Sequence, residues 1–105
     1  MTEELFRADG YLSECEASVT AVHGAYICLD RTEFYPEGGG QPGDTGVILC
    51  SNGVSVSIVD TLRTKDYGLV HVAEEDVDMP QTGEAGSTRI DWERRYRLMR
   101  MHSAL

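Results

Sequence analysis

From residue 14 to 21 the side chains alternate. Cys15, Ala17, Val19 and Ala21 fall on one side, Glu14, Glu16, Ser18 and Thr20 on the other. A period of two belongs to a half-buried β-strand, because successive side chains of an extended chain point to opposite faces. Val54, Val56 and Ile58 repeat the pattern against Ser55 and Ser57. Just before them stands Asn52-Gly53, the strongest short hairpin signal. It joins this strand to an earlier one at Gly46–Cys50. His23-Gly24 is read as a tight turn into a strand over 25–29, and further strands are expected over 67–72 and 86–90. The polar stretches 63–66 and 73–83 are read as loops, the second rich in Glu, Asp and one Pro. Many short strands with regular turns predict a mainly β chain, a small antiparallel barrel or sandwich.

The pattern changes at the end. Asp91 is placed to cap a helix beginning at Trp92, with Glu93 in its favourable first turn. Trp92, Tyr96 and Met99 share a stripe at helical spacing, widened by Leu98, Met101 and Leu105, and the stripe is read as core packing. No Gly or Pro stop signal closes the pattern. The expected organisation is therefore a β domain over 1–90 and, over 91–105, the start of a helix leading into a further domain beyond Leu105.

At 105 residues the chain allows one domain with a real core. No segment is long and apolar enough to span a bilayer, and the first residues lack a basic stretch followed by an apolar one. The expected compartment is the cytoplasm, with no membrane partner. Cys15, Cys28 and Cys50 are odd in number and not paired in spacing, so they are read as small buried hydrophobes. The net charge of −9 opposes general nucleic-acid binding, but five of nine basic residues (Arg89, Arg94, Arg95, Arg97, Arg100) lie in the last seventeen positions. Such a distribution fits a polyanion gripped at one tip, or simply a solvated helix face.

The most unusual run is Asp30-Arg-Thr-Glu-Phe-Tyr-Pro-Glu-Gly-Gly-Gly-Gln-Pro-Gly-Asp44. Three glycines beside a glutamine leave backbone bare, either for an ordinary turn or for close approach by a ligand. This run, through Gly46, resembles the glycine-rich motif of the alanyl-tRNA synthetase editing domain and of the freestanding alanyl-tRNA editing proteins called AlaX. The terminal stretch Arg94-Arg-Tyr-Arg-Leu-Met-Arg-Met-His102-Ser-Ala-Leu105 resembles the start of that family's first metal motif. The order and separation of the two pieces also fit.

The resemblance implies a translation-protein-like barrel followed by a helix that leads into an α/β catalytic domain missing from this chain. It implies hydrolysis of the ester joining a wrong amino acid, serine or glycine, to the acceptor end of tRNA(Ala). It also implies zinc, with His102 as the first ligand of a His-x-x-x-His pair whose second member would fall at position 106. One imidazole is not a site, since three or four protein ligands are needed. The chain as it stands is expected not to hold zinc tightly, and to be inactive alone.

By the same resemblance Thr32 hydrogen-bonds the hydroxyl of a seryl group, although closing its own loop is an equal alternative. Gln41 contacts the ester or terminal adenosine. Gly38, Gly39 and Gly40 shape the pocket through backbone donors. Arg97 and Arg100, at the basic end of the chain, are read as contacts to the RNA. Phe34 and Tyr35 are read as packing beneath the loop, and Asp44 as fixing the turn at Pro42-Gly43. Three rivals stand beside this reading. Peptide-chain release factors also carry Gly-Gly-Gln, but the flanking residues favour the editing family. The chain is otherwise a non-catalytic RNA- or protein-binding barrel, or a module that forms a homodimer through an exposed terminal helix.

Overall fold

The computed structural model describes residues 2–9, 12–38, 40–75 and 77–103, with side chains described as far as position 98 of the terminal helix. Eight strands occur among the described residues: β1 (Glu3–Glu4), β2 (Glu14–His23), β3 (Tyr26–Leu29), β4 (Arg31–Thr32), β5 (Gly46–Cys50), β6 (Ser55–Thr64), β7 (Gly68–Ala73) and β8 (Ala85–Ile90). A single α-helix, α1 (Trp92–Ser103), follows β8. Six strands close into an antiparallel barrel in the order β2-β3-β7-β6-β5-β8, with β8 returning to β2. β1 and β4 form a separate two-residue parallel pair. The expectation of a mainly β chain built as a small antiparallel barrel with a C-terminal helix is borne out.

The alternation explains the interior. Ala17 and Val19 of β2, Ile48 and Cys50 of β5, and Val56 and Ile58 of β6 all turn inward, and they join Ile27, Leu29, Phe34, Ala73 and Ile90 in one cluster. Fully burying an aliphatic side chain of this kind stabilises the fold by roughly 1.5–3 kcal/mol. Cys28 and Cys50 are buried and Cys15 is half-buried, all three as free thiols. The Asn52-Gly53 turn forms as read: Gly53 takes φ 93°, and the Asn52 side chain accepts from Val54 N–H at 2.9 Å.

Several boundaries differ from the sequence reading. β6 runs on through Arg63 and Thr64, which the polar composition marks as loop, because the ladder to β7 extends to the Thr64–Gly68 pair. Tyr67 belongs to the turn, and β7 begins at Gly68, whose φ of 69° ends the hairpin loop. β3 begins at Tyr26, since Gly24 (φ 61°) and Ala25 form the turn. The helix cap forms as expected, Asp91 Oδ1 accepting from Arg94 N–H at 3.1 Å. Of the apolar stripe, Trp92 lies against the core cluster as expected and Leu98 is half-buried, but Tyr96 is 49% exposed, and among the described side chains of α1 the fully buried one is Arg95. Met99, Met101 and Leu105 lie outside the described side chains. Among the described residues no helix is long and apolar enough to cross a membrane.

Candidate functional site

The glycine-rich run leaves β4 at Thr32 and returns at β5. Its two legs are stitched together: Asp44 N–H donates to Tyr35 O at 2.9 Å, and Tyr35 N–H donates to Asp44 Oδ2 at 2.8 Å. At the tip Gly38 and Gln41 exchange backbone hydrogen bonds of 3.1 and 2.9 Å, and Gly40 takes φ 83°. One leg is fastened to β6 by Glu37 N–H to Thr61 O at 2.8 Å, the other by Thr61 Oγ1 to Asp44 O at 2.8 Å.

The glycines here have different reasons to be glycine. A Cβ on Gly43 would stand 2.2 Å from Thr61 O, so the leg could not lie on β6. Gly40 needs its positive φ. Gly38 has neither constraint, for its φ is ordinary and an added Cβ would meet nothing within 4 Å. Nothing inside the described chain requires a bare backbone at that point. Its N–H, however, is spent on Gln41, so Gly38 offers open surface and not the free donor expected from the sequence. Gln41 is half-buried beside it, and Gly39 lies outside the described residues.

Helix α1 is locked to this loop by two consecutive arginines. Arg94 Nη1 donates to Gly43 O at 2.8 Å. Arg95 donates through Nε to Asp44 Oδ2 at 2.9 Å and through Nη2 to the same oxygen and to Glu33 O. Both partners of this ion pair are almost fully buried. Desolvating two charges is costly, and only close geometry with additional hydrogen bonds offsets it. Asp44 therefore does more than fix a turn: it ties both legs of the loop to the helix.

Beneath the loop sits a satisfied polar chain. Thr32 Oγ1 accepts from Phe34 N–H at 2.9 Å and lies 2.8 Å from His71 Nε2. His71 Nδ1 is 2.9 Å from Ile27 O, which can only accept, so Nδ1 carries the proton and Thr32 donates to Nε2. Burial pushes the His71 pKa down to about 4. Thr32 is 0% exposed, and its hydroxyl is engaged as the loop-closing alternative requires. To touch an acyl group it would have to break from His71. Phe34 is fully buried, as expected, whereas Tyr35 is 47% exposed. Glu33, between Thr32 and Phe34, is buried: its Oε1 accepts from Thr88 Oγ1 at 2.6 Å and from Cys15 Sγ at 3.5 Å, while Oε2 has no hydrogen-bond partner among the described residues. Burial raises its pKa, opposed by the Thr88 hydrogen bond.

The arginine-rich end is thus largely committed. Arg89 pairs with Glu14 on the surface at 3.1 Å, Arg94 and Arg95 hold the loop, and Arg97 is exposed. The side chains of Arg100 and His102 lie outside the described residues, though the helix backbone carries both positions. Among the described residues no group of three His, Cys, Asp or Glu side chains could hold a metal. Both nitrogens of His71 are occupied, and His23 stacks on Tyr67 with centroids 4.0 Å apart. The described residues do not by themselves make a zinc site.

Residues 6–94 match the model of the family described as tRNA synthetases class II (A). The chain belongs to that family. It is 50% identical over 103 residues to an alanine–tRNA ligase of Pyrobaculum calidifontis, covering 97% of this chain and 11% of the ligase. It is 38% identical over 104 residues to the alanyl-tRNA editing protein AlaX-M of Saccharolobus solfataricus, covering 99% of this chain and 44% of that protein. An alanine–tRNA ligase of Ignicoccus hospitalis is 47% identical over 102 residues. The resemblance read from the glycine-rich run and the terminal helix is borne out. The chain spans less than half the length of these relatives.

The buried clamp of Asp44 with Arg95, and the Thr32–His71 bond, were not visible as patterns. Asp44 reads as a turn residue and Arg95 as one of several helix arginines. Their pairing joins positions 51 apart in sequence.

Proposed function

We propose that this chain is the barrel part of an alanyl-tRNA editing enzyme that hydrolyses the ester of Ser-tRNA(Ala) or Gly-tRNA(Ala). The observation that carries the reading is Gly38: a bare, open backbone at a tip braced by β6 and α1, with no requirement for glycine within the described chain. Such a surface suits close approach of an acylated nucleotide, with half-buried Gln41 beside it. The names of the two kinds of relative support the substrate class. Thr32 serves here as a positioning residue, holding Phe34 and the loop from behind through His71. Arg97 and Arg100 would meet the acceptor strand from α1. Zinc, with His102 as one ligand, belongs to this proposal only for a longer protein that supplies the remaining ligands.

The test is deacylation of Ser-tRNA(Ala) by a protein extended beyond Leu105, compared with residues 1–105 alone. The extended protein is expected to turn over and the short chain not to. In the extended protein Gly38→Val should abolish turnover without lowering the unfolding midpoint, because the added side chain meets open space. Full activity in that variant would return the tip to an ordinary turn. A second reading, a binding module that pairs with its own copy, rests on the exposure of Tyr96 on α1. A molecular mass that stays monomeric across a hundredfold concentration range would remove it.

A further inference from the structure

Beside the glycine-rich tip lies a groove of about 310 Å³ between the loop, the 3₁₀ turn Leu5–Arg7 and the end of β6. Phe6 is buried at its base, and the Tyr35 ring leans on it with centroids 4.7 Å apart. That contact backs one side of Tyr35, and the ring is still 47% exposed. Pro36, Glu37 and Gly38 continue the wall to the tip, and Arg7 and Arg63 complete the lining.

The two arginines converge from distant parts of the chain on one carboxylate. Glu4 Oε1 accepts from Arg7 Nε at 2.7 Å, and its two oxygens accept from Arg63 Nη1 and Nη2 at 2.9 and 3.1 Å. The Arg63 hydrogen bonds, and to a lesser degree the one from Arg7, hold the Glu4 pKa down to about 2 against partial burial, so the carboxylate stays charged. The Arg7 guanidinium also stands 5.6 Å from the centroid of the Phe6 ring. Arg7 thus directs its Nε to Glu4 while the side chain stays 67% exposed and its two Nη groups remain outside that pair. Glu37, exposed on the rim, balances one of the positive charges.

We propose that this groove binds one nucleotide of single-stranded RNA, the unpaired 3′ strand leading to the glycine-rich tip. The inference rests on the editing function proposed above and assigns it a further subsite. An exposed ring braced from behind accepts any base by stacking, and an exposed guanidinium beside it accepts one phosphate. The near-balance of charge in the groove separates this site from an electrostatic track. One phosphate contact gives a slope of about −0.7 in log affinity against log salt for a single strand.

The test is a titration of the 105-residue chain with an RNA tetramer ending in CCA, followed by amide resonances. Shifts are expected at Tyr35, Glu37 and Gly38, with the shallow salt slope. Tyr35→Leu should weaken binding roughly fivefold or more through lost stacking, while Tyr35→Phe retains it. Arg7→Gln should flatten the salt slope at an unchanged unfolding midpoint, since Arg7 is a surface residue, and Arg89→Gln should change nothing. Shifts confined to other surfaces, equal affinity for an acidic peptide, or unaltered binding in both Tyr35→Leu and Arg7→Gln would overturn the site. If an extended protein deacylates tRNA and Tyr35→Leu leaves its KM unchanged, the groove fails alone. If it does not deacylate at all, the functional reading fails first.

Discussion

Replacing Arg95 with Met removes the guanidinium but keeps an unbranched apolar stem on a good helix former. Asp44, 2% exposed, would keep the Tyr35 N–H and lose its only cationic partner among the described residues. Breaking one side of a buried pair costs about 3–5 kcal/mol, because the other charge is left in a poor solvent. Glu33 O loses a donor as well, worth about 1 kcal/mol. A domain of this size is stable by roughly 5–15 kcal/mol, so the loss is a large share. At about 4–8 °C per kcal/mol, even the lower figure drops the Tm by more than ten degrees. Urea unfolding of wild type, Arg95→Met, Asp44→Asn and the double variant at pH 7 measures this. The double variant buries no charge, so it should lose less than the sum of the singles by about 1–3 kcal/mol. A loss under 1 kcal/mol for Arg95→Met, or simple additivity within about 0.5 kcal/mol, would show that α1 is not held to the loop by this pair.

His71 adds a pH dependence. Its folded pKa of about 4 lies below the ordinary 6.5, so between those values the unfolded chain binds more protons. Stability from this group is complete above pH 6.5 and is lost as pH falls towards 4, by about 3 kcal/mol at the two-and-a-half-unit difference. His71→Gln should flatten the urea midpoint across that window, and an unchanged slope would show that His71 is not buried in its neutral form. Glu33 acts with the opposite sign, because its raised pKa makes the charged form costly as pH rises. Glu33→Gln should therefore gain stability relative to wild type between pH 4 and pH 8; a constant difference across that range would contradict the raised pKa. Gly43→Ala should destabilise by about 1–3 kcal/mol or more, through the clash with Thr61 O. Gly38→Ala should be neutral or slightly stabilising, by up to about 1 kcal/mol. Equal losses at the two glycines would refute the packing described for the loop. Zinc added to the 105-residue chain and dialysed should leave far less than one equivalent by elemental analysis; a tightly held equivalent would mean that this chain completes a site.

The alternation at 14–21 and 54–58, the Asn52-Gly53 turn and the Asp91 cap are local signals. Each depends on neighbours a few residues away, and each was legible without coordinates. The same holds for the kinship carried by the glycine-rich run. Strand ends were less legible: Arg63 and Thr64 look like loop because a ladder continues past its apolar stretch when a partner strand is there to pair. Tertiary structure alone decided four things. It closed the six strands into a barrel through the β2–β8 pair. It turned Arg95 inward to Asp44 while Tyr96 stayed exposed. It sealed Thr32 behind His71, and it left Gly38 open where Gly43 is tightly packed. Burial and charge pairing are settled by groups far apart in the chain. Helical spacing can say which residues share a face, but not whether the opposite wall offers a carboxylate, a core or water.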